Sequence, residues 1–227
     1  MSAVGLPIFI FFTYIFSKNP RRVKWRPVVW GLVLQFILGI FILRTSLGRS
    51  IFQWLGCIVG DFLNFTDAGS KFVFGEDTYT AHSFAFKVLP VLIYFSAVIS
   101  VLYHLGIMQI VIRKLAWLMQ NTMKTSASES LNAAANIFIG QMEAPLLIRP
   151  FLKDMTKSEL HAVMTGGFAT IAGSVLGAYI TLGISPFHLM TASVMSAPVA
   201  LAISKLFYPE TKETSDKTVD QMELPKS

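Results

Sequence analysis

The residues of this 227-residue chain whose types could do chemistry crowd into two stretches. Residues 131–152 read LNAAANIFIGQMEAPLLIRPFL, so that Asn132, Asn136, Gln141, Glu143 and Arg149 stand among Gly140, Pro145 and Pro150 in apolar sequence. Carboxamides and a carboxylate offer both donors and acceptors to a polar solute. Residues 161–182 read HAVMTGGFATIAGSVLGAYITL, where Thr165, Thr170 and Ser174 alternate with Gly166, Gly167, Gly173 and Gly177. Hydroxyls together with carbonyls freed by an unwound helix make a hard-oxygen site suited to Na+.

The elements that position these groups follow from the backbone. Pro145 lacks an amide donor and disfavours helix at Ala144, which predicts a non-helical stretch from 140 to 145. Such backbone survives at membrane depth only when buried in protein or lining a wet cavity. A carboxylate there costs roughly 2.5–3.5 kcal/mol on insertion scales, so it is kept for a function. Two half-helices meeting at Gly140-Gln141-Met142-Glu143 is an arrangement transporters use to bind solutes. In the second stretch the helix has two places to unwind, Gly166-Gly167 and Ala172-Gly173-Ser174. Each residue also has a plainer reading. Glu143 could pair with Arg149 or Lys153, and Gln141 could pack the tip. Thr170 and Ser174 could bond back to a helix carbonyl. Asn136 could join two helices, the glycines could serve close packing, and Arg149, His104 and His161 could sit at the interface.

Composition places these stretches in a bilayer. Hydrophobic residues are 53% and charged residues 14% of the chain, with mean hydropathy +0.58. Soluble domains carry roughly 25% charged residues. A soluble enzyme, a nucleic-acid-binding domain and a disordered chain are excluded. The net charge of +6 reads as basic residues at the cytoplasmic face, and the 19 Phe as lipid-facing and core material. A single cysteine, Cys57, leaves no internal disulfide and no metal cluster.

Along the chain, residues 3–16 are apolar but short of the roughly 20 that span a bilayer, and read as a span whose beginning is missing. Lys18, Arg21, Arg22, Lys24 and Arg26 follow and mark a cytoplasmic loop. A second span is expected over 27–43. Residues 51–65 mix Phe, Trp and Leu with Asp61 and Asn64, as an interfacial helix does. Residues 67–83 read as an outward loop. The sequon Asn64-Phe65-Thr66 lies against an apolar segment, which argues against its use. Residues 84–112 form the longest apolar run, long enough to tilt or to leave the membrane. Arg113 and Lys114 end it, and 115–123 is expected to lie along the inner surface. Ser126 and Glu129 have capping-box spacing. A third span is expected over 187–207, and 209–227 is a polar tail.

Two long strings, NIFIGQMEAPLLIRP (136–150) and TGGFATIAGSVLGAY (165–179), closely resemble the concentrative nucleoside transporter family, as do Phe52-Gln53-Trp54-Leu55-Gly56 and Val88-Leu89-Pro90. The resemblance extends from about Trp25 to Pro209. It implies an all-α polytopic membrane protein of the plasma membrane. That protein has scaffold helices, a first inverted repeat with a re-entrant hairpin, and an unwound transmembrane helix. Residues 1–112 would be scaffold. Residues 113–208 would be the first transport-domain repeat, with the hairpin at 131–152, the broken helix at 160–183 and a helix at 187–207. The family moves nucleosides by symport with Na+, H+ being the alternative cation, and assembles as trimers. No cofactor beyond the coupling ion and no nucleic-acid partner is implied.

The resemblance also assigns residues. Gln141 and Glu143 would hydrogen-bond the nucleobase and Val175 would pack against it. Asn136 and Thr170 would give side-chain oxygens to Na+, with carbonyls from Ile139 and Ile171. Gly140, Gln141, Ser174 and Val175 occupy positions that vary with purine or pyrimidine preference, and this set resembles the broad-selectivity type. Met142 departs from a threonine common in the family; a thioether donates nothing, so any hydroxyl contact there is lost. The chain is also about half of what the family needs, which fits an incomplete chain. It equally fits a truncated, non-transporting subunit that oligomerises with the full-length protein. An intramembrane enzyme built on Glu143 and His161 lacks a nucleophile or metal-ligand set.

Overall fold

In a computed structural model, the structure describes residues 2–77, 84–139, 141, 143–171 and 173–211. They are helical, with no strand among them. The helices in chain order are α1 (Ser2–Ile15), α2 (Trp25–Arg44), α3 (Ser46–Phe74), α4 (Leu89–His104), α5 (Ile107–Met123), α6 (Ala127–Ala135), α7 (Ala144–Leu147), α8 (Lys157–Ala169), α9 (Gly173–Thr181) and α10 (Pro186–Phe207). A π-helical turn, Phe84–Val88, leads into α4. The chain therefore adopts the all-α polytopic architecture that its sequence implies.

Among the described residues, three helices are long and apolar enough to cross a membrane: Trp25–Arg44, Ala85–His104 and Pro186–Phe207. At about 1.5 Å per residue, 20 residues cover the roughly 30 Å hydrocarbon core. They differ in surroundings. Within the protein 61% of the third is buried, against 22% and 11% of the others. So α10 is the central post, and α2 and α4 turn apolar side chains outward. Hydrophobicity cannot draw helices together in lipid, so backbone approach through small residues does. A Cβ on Gly31 of α2 would stand 2.6 Å from Ala202 Cβ and 2.7 Å from Pro198 O on α10. A Cβ on Gly177 of α9 would stand 2.7 Å from Val91 Cγ1 on α4.

Several expectations change. The 84–112 run is not one tilted helix. It breaks after His104, where Gly106 takes φ +80°, a left-handed conformation open to glycine at little steric cost. The second piece, α5, buries Met108, Ile112, Ala116, Met119 and Met123 along one face. That helical spacing made the run two elements, while its bulk hydropathy suggested one. Residues 67–74 are not loop but the last turns of α3, a 29-residue amphipathic helix capped by Thr45 and ended by Gly75 at φ +80°. The sequon lies inside that helix, with Thr66 buried. Of the expected 67–83 loop, residues 78–83 lie outside the described residues. Ala144 and Pro145 are not in the gap but open α7, where a missing amide proton costs nothing.

Candidate functional site

Two helices build the site, and both start in the same way. Ser126 and Glu129 form a capping box on α6: the Ser126 amide donates to Glu129 Oε1 at 2.7 Å and the Glu129 amide to Ser126 Oγ at 3.4 Å. Thr156 and Glu159 repeat it on α8, at 2.7 and 3.2 Å. Each box satisfies two of the orphan amides of a helix start. The two helices then pair in parallel. Asn132 Nδ2 donates to Val163 O at 3.4 Å, and one turn on, a Cβ on Gly166 would stand 3.1 Å from Asn136 Nδ2. Register advances in the same sense on both, so the two N-termini share one end and the two C-termini the other.

The C-terminal ends hold the expected oxygen donors. Asn136 caps α6 and is 1% exposed, yet neither Oδ1 nor Nδ2 has a hydrogen-bond partner among the described residues. Asn132 Oδ1, one turn earlier, is in the same condition. Each orphaned buried group costs about 1–3 kcal/mol. α8 ends at Ala169, and Thr170 is extended at φ −114°, ψ 154°. The Thr170 hydroxyl donates to Gly166 O at 2.8 Å, as its plainer reading held, and its lone pairs stay available. Gly166 is thus the common neighbour of Asn136 and Thr170. Ile139 is buried in the turn after α6, and Ile171 follows the end of α8. Helix C-termini carry partial negative charge and carbonyls without helical donors. Two of them, with a carboxamide and a hydroxyl, can hold a hard monovalent cation. The helix runs unbroken through Gly166-Gly167, so the interruption falls at Thr170-Ile171 and not at that pair.

The hairpin tip sits on the same helix. Gln141 and Glu143 are exposed, and a Cβ on Gly167 would stand 2.9 Å from Gln141 Cβ. Val175 lies on the first turn of α9, 40% exposed. Gly140 and Met142 lie outside the described residues. Ser174 is in α9, with its side chain outside the description. A cavity of about 430 Å³ flanks the hairpin from the other side, between Phe62, Phe95, Ile137, Phe138, Leu176 and Met190. Its lining is almost wholly apolar and includes none of the expected base-binding residues, so it does not suit a nucleoside.

His161, expected at the interface, is bonded within the protein. Its Nδ1 lies 2.7 Å from Ser204 Oγ, and its ring stacks on Phe207 and Tyr208. These contacts hold it, on the second turn of α8, against the C-terminal end of α10. The sequence reading named Asn132 without giving it a role and passed over Lys205. Asn132 was visible through its i, i+4 spacing with Asn136. Lys205, a lysine inside the apolar α10, was visible as an intramembrane charge. Its Nζ lies 2.7 Å from Glu129 Oε2 and 3.6 Å from Glu210 Oε2.

Comparison with known proteins gives consistent matches. The family described as "Na+ dependent nucleoside transporter N-terminus" matches residues 4–77, and "Nucleoside recognition" matches residues 85–186. The chain is 60% identical over 222 residues to solute carrier family 28 member 3 of Eptatretus stoutii, covering 98% of this chain and 32% of that protein. It is 57% identical over 224 residues to sodium/nucleoside cotransporter 1 of Rattus norvegicus, covering 99% and 34%. The structure of CNTnw in an inward-facing substrate-bound state superposes with TM-score 0.91 at 36% identity, over 96% of this chain and 55% of that one. The chain spans about a third of the length of the curated relatives it matches.

Proposed function

The chain belongs to the concentrative, Na+-dependent nucleoside transporter family, a family of transporters and not of enzymes, and on that premise we propose that it forms the cation- and base-binding part of a nucleoside symporter. The observation that carries this reading is Asn136. A fully buried carboxamide with no hydrogen-bond partner among the described residues, between two helix C-termini, is costly unless something occupies the site. A Na+ ion held by Asn136 Oδ1, Thr170 Oγ1 and the Ile139 and Ile171 carbonyls removes that cost. In this reading the ion fixes the hairpin against α8. The tip then presents Gln141 and Glu143 to the base edge, Val175 packs against the base, and Gly140, Met142 and Ser174 are the further residues that set base preference.

Coupling follows from shared parts. The segment that carries Asn136 and Ile139 leads directly into Gln141. An ion that orders this segment removes the ordering cost from nucleoside binding, and the reverse holds by linkage. Residues 113–208 would move as a transport repeat against scaffold helices in 1–112, switching access. The close match of the fold to CNTnw supports this division. We place the protein in the plasma membrane as a trimer, with the basic loop at 18–26 inside.

Uptake of radiolabelled nucleoside by the complete transporter carrying this sequence tests the reading. Glu143→Gln is expected to abolish most flux at normal surface abundance, and Asn136→Ala to weaken Na+ activation. Near-normal flux in the first, or unchanged Na+ activation in the second, removes the corresponding role.

A further inference from the structure

The cluster around Lys205 lies at the opposite end of α6 and α8 from the cation cradle. Lys205 is on α10, with its side chain 7% exposed. Its ammonium contacts Glu129 Oε2 at 2.7 Å and Glu210 Oε2 at 3.6 Å and donates to Ser158 Oγ at 3.1 Å. The Thr156 hydroxyl donates to Glu210 Oε2 at 2.6 Å, and the Ser158 hydroxyl to Tyr208 O at 2.7 Å. Glu129 is the capping-box carboxylate of α6; Thr156 and Ser158 are the N-cap and first turn of α8. One ammonium therefore links the first turns of both site helices to the central post. Lys18 joins the same end, its amide donating to Phe207 O at 2.9 Å and its Nζ to the Tyr208 hydroxyl at 2.7 Å.

The geometry points to Lys205 as a positioning residue for the coupling cation, acting through α6 and α8; this rests on the cation site proposed above. Two parallel helices place like dipole ends side by side, which opposes their pairing. At the N-terminal ends two capping-box carboxylates, Glu129 and Glu159, more than offset the positive dipole ends. The ammonium offsets that negative charge in a buried setting where charges act strongly. At the C-terminal ends the cation itself offsets the negative dipole ends. α6 has 9 residues and α8 has 13, so they are rods of about 13 and 20 Å. A few degrees of splay at the clamped ends moves the far ends by about 1 Å. Ligand constellations need to be held within about 0.5 Å. The clamp thus sets the span of the cradle without touching the ion.

A buried ion pair that serves only stability would make the same contacts, so the test needs a readout that stability does not move. In the complete transporter, Lys205→Met is compared with wild type for surface abundance, half-saturating Na+, and half-saturating nucleoside at saturating Na+. The expected result is a rise of about tenfold in half-saturating Na+ (some 1.4 kcal/mol) with the nucleoside value nearly unchanged. Lys205→Arg, which keeps the charge, is expected to restore Na+ affinity. If Lys205→Met does not reach the surface, the double variant Lys205→Met/Glu129→Gln, which removes the closest carboxylate together with the ammonium, takes its place. Unchanged half-saturating Na+ in whichever variant is at the surface overturns the proposal. So does an arginine variant as impaired as the methionine, or absence of both neutral variants from the surface. The underlying cation site is judged separately. If wild-type uptake does not depend on Na+, or Asn136→Ala leaves that dependence intact, the site itself fails. If both hold and Lys205→Met has no effect, only the clamp fails.

Discussion

Gly167 on α8 lies so close beneath Gln141 that a Cβ there would stand 2.9 Å from Gln141 Cβ. The hairpin tip rests on bare backbone at this point. Its neighbour Gly166 faces Asn136 Nδ2 at 3.1 Å in the same sense. Two adjacent glycines therefore support two different parts of the site.

Substituting each glycine separates the parts. Gly167→Ala displaces the tip carbon chain and is expected to raise half-saturating nucleoside about tenfold, with a smaller effect on Na+. Gly166→Ala crowds the Asn136 carboxamide and is expected to show the opposite ranking. Uptake measured across both concentration axes checks this, and an identical pattern from the two variants refutes it.

Asn132 carries an orphaned carbonyl oxygen and one long hydrogen bond, to Val163 O at 3.4 Å. Removing an unsatisfied buried polar group relieves its desolvation cost, here against the loss of one long bond. Asn132→Leu is expected to raise the Tm of detergent-solubilised protein without Na+, by a gain of up to about 1 kcal/mol. A lowered Tm would mean that the carboxamide has a use in the ion-free state.

The two capping boxes differ in what else they hold. Ser126→Ala removes a cap, and caps of this kind contribute about 1 kcal/mol. Thr156→Ala removes a cap and also the 2.6 Å bond to Glu210. Thermal unfolding should rank Thr156→Ala as the more damaging, and equal losses would show that the Glu210 contact adds nothing.

At Gly31 a Cβ would meet Ala202 Cβ at 2.6 Å and the Pro198 carbonyl at 2.7 Å. Backbone cannot yield as a flexible side chain can, so Gly31→Ala should cost about 1–3 kcal/mol through overpacking. The same substitution at Gly69, which has nothing within 4 Å of a Cβ, should be tolerated. Comparing their Tm values checks the α2–α10 contact.

Much was legible in the sequence because it rested on local chemistry. Few charges and long apolar runs mean a bilayer, since an unpaired polar group has nowhere to go in hydrocarbon. Asn136, Gln141, Glu143 and Thr170 stood out because each interrupts such a run. The Ser126–Glu129 box could be read from spacing, since a capping box closes within four residues. Boundaries were harder where hydropathy is uniform. Residues 84–112 look continuous, and only a positive φ at Gly106 divides them.

What the sequence could not set is which local features meet. The positions of Asn132 opposite Val163 and Asn136 opposite Gly166 depend on the parallel pairing of two helices separated by the hairpin. Lys205 reads alone as one charge in an apolar helix; its role comes from Glu129, 76 residues earlier in the chain, and Ser158, 47 residues earlier. Residue type and spacing determine what a group can bond and which helix it rides on. The tertiary structure decides which of those bonds are made and which, as at Asn136, are not made among the described residues.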